Sequence, residues 1–245
     1  MVPYTLKRDS SGYHDTKLQP QSSSASAIRN ALRHWEKQPF SRYPADPQQT
    51  PDGFSELLQN QLPENALRLL RDAWNQSCPI ETNDFSLLLK YRLLCETRKS
   101  LCEYQDISED LANRIIRNRN QFLNFEQFCQ LLKTKELTYS RISRSLLHIL
   151  LSITTEDMHA YQDNSCSYAR ILGFRKEHTD VLRAMKDHAS IPIITKLGKS
   201  ASLLSPEASR MLNQTSFASD LYESVISDKF GIPFTSEQQK QIIRV

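Results

Sequence analysis

The chain has 245 residues, 39% hydrophobic and 24% charged, which is enough apolar material for one large or two small packed domains. A formal net charge of +3 is too small to argue for nucleic acid by itself, so only the placement of the cations can do so. Five glycines in the whole chain exclude a Walker loop and a GxGxxG dinucleotide turn, because both need clustered glycines for close phosphate approach.

Val2 to Leu6 is expected to be a short strand, followed by a polar, turn-rich stretch from Lys7 to Ser24. The first helix should start at Ser24 or Ser26, with Ala27, Ile28, Ala31, Leu32 and Trp35 on one face, and fade before Pro39. Four prolines, Pro39, Pro44, Pro47 and Pro51, mark a linker over 38–53. From Phe54 to Tyr161 the pattern is helical almost throughout. Phe54, Leu57, Leu58 and Leu62 suggest one short helix; Ala66, Leu69, Leu70, Ala73 and Trp74 suggest the next, entered at Pro63. Thr82 or Asn83 should cap a helix carrying Phe85, Leu88, Leu89, Arg92 and Leu93. Ser108 should cap a helix with Leu111 and Ile115, and Asn124 with Gln127 suggests a capping box before Phe128, Leu131 and Leu132. Thr138 should start a helix that buries Ile142, Leu146, Ile149 and Leu150, and Thr154 or Thr155 a shorter one. After Asn164 the texture changes. Tyr168–Phe174 (YARILGF) and Ile191–Lys196 (IPIITK) are expected as strands around a helix over 179–188, a small parallel βαβ unit. Two helices, Pro206–Asn213 and Ala218–Ser227, should close the chain. The fold class expected is therefore mostly α, a multi-helix domain over 54–164 followed by a small α/β unit over 165–245.

Three stretches stand out as motifs: Lys7–Asp15 (KRDSSGYHD), Ser24–Arg29 (SASAIR) and the run from Ser108 to Ile153 containing SEDLANRII and LLKTKELTYSRISRSLLHILLSI. With YARILGF, IPIITK and Ala218–Tyr222 (ASDLY) in that order, the chain resembles the tRNA(Met) cytidine acetate ligase family. The resemblance implies an enzyme that activates acetate with ATP as acetyl-adenylate, with Mg carried by the ATP, and then acetylates the wobble cytidine of elongator tRNA(Met). It also implies a front Rossmann-like nucleotidyltransferase domain with a His-x-Gly-His signature, which occurs nowhere in these 245 residues. Residues 1–37 are accordingly expected to be a remnant of that domain. The rest of it is expected before Pro3 or on a separate subunit, and catalytic residues are not assigned. Two rival readings stay open: a non-catalytic RNA-binding or interaction module, and a fragment of another adenylyltransferase.

Matched to the family motifs, Arg8, Asp9, Ser24, Ser26 and Arg29 are the candidate ATP contacts. A guanidinium at Arg8 suits phosphate or ribose oxygens, and a helix start at Ser24 or Ser26 offers free N–H groups and a favourable dipole to an anion. Helix capping alone explains the serines equally well. Tyr13, His14 and Asp15 invite a general-base story that acetyl-adenylate formation does not need, since a carboxylate is already the nucleophile; a structural hydrogen bond is expected there. Between Asn113 and Arg144 lie seven cations, Arg114, Arg117, Arg119, Lys133, Lys135, Arg141 and Arg144, against only Glu126 and Glu136. With Tyr139 as a stacking platform, these form the candidate tRNA surface. A solvated basic face is the alternative, and the resemblance favours tRNA.

The five cysteines form no CxxC pair and are read as reduced thiols, and no His falls within four residues of another, so no metal site is expected. Met1–Asp9 has no apolar signal core, and the longest apolar stretch, Leu146–Ile153, is too short to span a bilayer; a cytoplasmic protein without membrane contact is expected.

Overall fold

The computed structural model describes residues 4–5, 12, 15–20, 23–36, 58, 60–162 and 167–245. The contacts divide the chain into two compact units, Met1–Pro79 and Ile80–Val245. The expected strand Val2–Leu6 and the linker 38–53 lie outside the described residues, Tyr4 and Thr5 excepted, and these two form no strand.

In the first unit, α1 (Ala25–Glu36) begins where the serines predict. Ser24 is its N-cap: the hydroxyl accepts from Ala27 N–H at 3.0 Å and donates to the Asp15 carbonyl at 2.6 Å. The second helix, α2 (Glu64–Ala73), follows Pro63. Leu58 and Leu67 are buried, with Ile28, Leu32, Leu62, Leu70 and Trp74 packed around them. Leu70 and Trp74 pack inward as expected, but Leu67 takes the buried place that the sequence pattern gave to Ala66 and Leu69. Leu69 is 66% exposed. Both faces of this helix carry a leucine, so periodicity alone cannot choose between them.

The second unit is built on α3 (Ser86–Cys95), the single turn α4 (Arg98–Leu101), α5 (Glu109–Asn118), α6 (Phe125–Leu132), α7 (Tyr139–Leu150) and α8 (Thr155–Gln162). Before α3, a 3-10 turn at Thr82–Phe85 is capped by Glu81 rather than by Thr82 or Asn83. Side-chain caps place the later starts. Ser108 accepts from Leu111 N–H, Asn124 from Gln127 N–H and Thr138 from Arg141 N–H. The Asn124 box closes one residue early, because Gln127 takes the N–H of Leu123 at 3.0 Å. Facing apolar rows then merge into one core. Leu111, Ile115, Phe125, Phe128, Leu132, Ile142, Leu146 and Ile149 are all fully buried, each contributing about 1.5–3 kcal/mol relative to exposure.

The α/β part contains β1 (Ala169–Arg170), β2 (Gly173–Phe174), α9 (Thr179–His188), β3 (Ile193–Ile194), α10 (Pro206–Phe230) and β4 (Ile243–Arg244). β1 pairs with β3 in parallel, Ala169 opposite Ile193, so the expected βαβ unit forms. The single strand expected over 168–174 divides in two, however. Its second piece pairs in parallel with β4, Gly173 opposite Ile243. A Cβ at Gly173 would lie 3.2 Å from the Ile243 carbonyl, so the small residue admits this close pairing.

The two closing helices expected from the sequence are one 25-residue helix, capped by Ser205 and ended by Gly231 at φ 68°. Thr215 and Ser216 do not interrupt it. Their hydroxyls donate to the carbonyls of Met211 and Leu212 one turn back, both at 2.9 Å. No helix among the described residues is long and apolar enough to cross a membrane.

Candidate nucleotide and nucleic-acid sites

The N-terminus of α1 carries three of the five candidate ATP contacts. Ser24 is 1% exposed and committed to its cap, while Ser26 is half-buried and Arg29 exposed. Ser26 and Arg29 are three residues apart and share a face of the first turn. No acidic residue stands in the first turn to oppose an anion at the start, and basic Arg33 and His34 occupy the last. Arg8, Asp9, Tyr13 and His14 lie outside the described residues. Asp15 has a structural role: its carboxylate accepts from Gly12 N–H at 2.6 Å, and its carbonyl holds Ser24.

The candidate tRNA residues fall on α5 and the turn after it, on the turn after α6 and on α7, and the fold sorts them. Arg114 is half-buried, and its Nε donates to the Leu132 carbonyl at 3.1 Å, at the C-terminal end of α6. That bond brings Arg114 to the turn carrying Lys133 and Lys135, both exposed. The turn is itself fixed: Thr134 N–H donates to the Leu137 carbonyl at 3.1 Å, and the Thr134 hydroxyl accepts from Leu137 N–H at 3.0 Å. Arg117 and Arg141 are exposed. Arg119 turns elsewhere, donating to the Glu96 carbonyl just past α3 at 3.3 Å. Tyr139 is half-buried, packs against the core and hydrogen-bonds the Cys129 thiol, which burial pushes up to about 12. Its ring therefore offers only a part of its surface for stacking.

Arg144 points outward as the helix phase predicts, but it has a partner the sequence did not reveal. Asp106, at φ 64° in the left-handed region, receives Arg144 Nε at 2.7 Å. Ser145 Oγ donates to the Asp106 carbonyl at 3.0 Å, and His148 Nδ1 lies 2.9 Å from the Gln105 carbonyl and 3.7 Å from Asp106. One face of α7 thus clamps the 104–107 turn. Asp106 follows Gln105 in a turn before the Ser108 cap, and a left-handed Asp is the one local hint of such a role.

A polar cluster that sequence reasoning also missed lies at the C-terminal end of α3. Glu96 is 8% exposed and accepts from the Tyr104 hydroxyl at 2.7 Å. Arg92 donates to the same hydroxyl at 2.7 Å and lies 3.4 Å from Glu96. Burial, reinforced by Glu96, pushes the Tyr104 phenol up to about 12, so the cluster is structural at neutral pH. Asp220, unexplained in sequence, lies inside α10 and holds the C-terminal turn. Its carboxylate accepts from Glu237 N–H at 2.6 Å and from the Ser236 hydroxyl at 2.9 Å. Tyr222 rests beside Phe85, ring centres 6.3 Å apart.

Known proteins bear on these sites. The chain is 33% identical over 196 residues to a protein of Clostridium acetobutylicum named tRNA(Met) cytidine acetate ligase, covering 80% of this chain and 43% of the relative. A relative of the same name from Caldanaerobacter subterraneus is 30% identical over 223 residues, covering 91% of this chain and 50% of the relative. The chain therefore spans about half the length of the curated relatives it matches. Its fold superposes on the crystal structure of apo Thermotoga maritima TmcAL with a TM-score of 0.79 at 20% identity, over 98% of this chain and 55% of that one. A second crystal form of that protein, bound with alpha-thio ATP, superposes with a TM-score of 0.75 at 20% identity, over 93% of this chain and 53% of that one. The likeness is not confined to the first 37 residues, where the sequence reading had put the nucleotidyltransferase remnant, because the family profile runs on through the helices to residue 237. Matched over residues 1–237, the chain belongs to the HIGH Nucleotidyl Transferase family.

Proposed function

We propose that this chain is a tRNA-facing portion of a tRNA(Met) cytidine acetate ligase that also contributes to the ATP pocket. The observation that carries this is the 30–33% identity to relatives of that name over 80–91% of the chain. Acetate and ATP are the substrates on this reading, with Mg bound through the ATP, and elongator tRNA(Met) is the acceptor. The α1 N-terminus, with Ser26 and Arg29, faces the nucleotide together with Arg8 and Asp9. The exposed cations Arg117, Lys133, Lys135 and Arg141, joined by Arg114, Arg119, Arg144 and Tyr139, face the tRNA. Adenylation on this reading uses a His-x-Gly-His segment, and these 245 residues contain none.

Two measurements test the reading. The purified chain should bind tRNA with log affinity falling against log salt at a slope of about −3 to −4, as for about four neutralised phosphates. Changing Arg117 and Arg141 to Gln should flatten that slope by about two. Because Arg144 already has a carboxylate partner, Arg144→Gln should flatten it by less than either of these does singly. A slope unchanged in the Arg117/Arg141 variant makes the stripe a solvated face only. Acetate-dependent ATP–pyrophosphate exchange should be absent from the chain alone; exchange by it would show that the adenylation chemistry lies within these residues. In an enzyme supplying the His-x-Gly-His segment, Arg29→Ala should cost about 1.5–3 kcal/mol in ATP use and leave tRNA affinity nearly intact.

A further inference from the structure

The C-terminal α/β part holds a cleft of about 680 Å³ that none of the motifs above uses. Ile191, Pro192, Ile193 and Leu203 form its walls, and Lys186 and Lys196 stand at its rim. Among the described residues no carboxylate lines it. Lys186 is in the last turn of α9, and its Nζ lies 3.4 Å from the Thr195 hydroxyl, which holds the ammonium over the end of β3. An ammonium carries three donors, so this bond leaves two for a ligand. The cleft runs along β3 and the 189–192 segment that joins α9 to it. Its volume lies within the usual range for small-molecule sites, about 300–1,000 Å³.

We infer that this cleft takes one unpaired nucleotide of an RNA strand, its base between the apolar walls and its phosphates on Lys186 and Lys196. The inference rests on the RNA-facing role proposed above. Apolar walls with cations only at the rim suit a ligand with a flat, weakly polar body and an anionic edge. Two isolated lysines suit phosphodiesters spaced along a strand. A triphosphate would call for a glycine-rich cradle of clustered N–H groups, and the neighbouring turn Leu197–Ser202 has one glycine, Gly198. The aliphatic walls bury the flat face of a base by apolar contact, and the two lysines meet the backbone charge.

The test uses the full chain with isotope-labelled Ile and Leu methyl groups, titrated separately with a single-stranded RNA tetranucleotide, ATP, ribose 5-phosphate and inorganic phosphate. The tetranucleotide should move Ile191, Ile193 and Leu203 saturably. Changing Lys186 and Lys196 to Gln should weaken that binding about tenfold. Equal shifts with ribose 5-phosphate or inorganic phosphate would overturn the base-binding claim, and tighter binding of ATP than of the tetranucleotide would overturn the RNA assignment. Silent cleft methyls while tRNA affinity responds to Arg117 and Arg141 overturn the cleft and leave the helical surface standing. Saturable cleft shifts in a chain that binds no tRNA overturn the proposed function and leave the cleft.

Discussion

The helices over 86–162 and the α/β part over 167–245 belong to one compact unit, yet they are held by different forces. The helical part buries eighteen residues in a continuous cluster. In the α/β part α9 buries no residue at all, and of the residues in β1 to β4 only Ile194 is buried. What holds its strands and C-terminal turn is polar: Arg170 pairs with Glu237, Lys240 bridges Glu223 and Glu237, and Asp220 grips the 236–237 backbone. Apolar burial does not respond to pH, whereas carboxylate pairs do. The two parts should therefore fail under different stresses.

The sharpest way to break the comparison is a pair of truncations. Leu146→Ala, at a fully buried position of α7, should cost about 2–5 kcal/mol in urea unfolding. Met185→Ala, on the exposed α9, should change stability by no more than about 0.5 kcal/mol. Similar losses in both would mean that α9 is packed more tightly than its exposure indicates.

Asp157 joins the two parts and should rank next. It is 1% exposed, caps α8 through Thr154, accepts from Gln214 on α10 at 2.8 Å and lies 2.7 Å from Arg210 Nε. Asp157→Ala should cost about 1–3 kcal/mol, because it leaves the Thr154 N–H and the Gln214 amide without their acceptor. Circular dichroism melts would show it. A loss below about 0.5 kcal/mol would remove this carboxylate as the joint.

The pH response comes third. Burial alone would raise the Glu237 carboxyl, but hydrogen bonds and charge from Arg170 and Lys240 hold it below its ordinary 4.5. Asp157 is likewise pushed up by burial and brought below its ordinary 3.8 by Thr154, Gln214 and Arg210. Groups depressed in the folded state stabilise above the unfolded pKa, and that contribution is lost as pH falls through the folded pKa. Stability should thus decline below about pH 4.5, and Glu237→Gln should make the decline shallower. Lys240 is raised above its ordinary 10.5, chiefly by its hydrogen bond to Glu223, so its contribution persists up to that pH and fades as pH climbs through the folded value. An acid limb identical in the Glu237→Gln variant would remove this carboxylate from the latch.

Arg144 comes last, with an effect close to that of Met185. Its pair with Asp106 is 62% exposed on the arginine side, so Arg144→Ala should cost less than about 1 kcal/mol, and salt should erase the difference.

What the sequence determined by itself is local. Ser24, Ser108, Asn124 and Thr138 mark helix starts because a hydroxyl or amide oxygen satisfies an N–H three residues on, within reach of any chain that turns there. Ile142, Leu146 and Ile149 declare the buried face of α7, and so Arg141 and Arg144 the outer one, because 3.6-residue periodicity is a property of one helix. Ser26 and Arg29 were named as candidate contacts from the family resemblance, and the basic stripe from the placement of its charges. Only the tertiary structure decided their state. Arg114 meets Leu132 across 18 residues, Arg119 meets Glu96 across 23, Arg144 meets Asp106 across 38 and Arg170 meets Glu237 across 67. A guanidinium looks the same in sequence whether it faces water, a carbonyl or a carboxylate. Its partner is fixed by how separate helices and strands pack, and that information is carried by no single stretch of the chain.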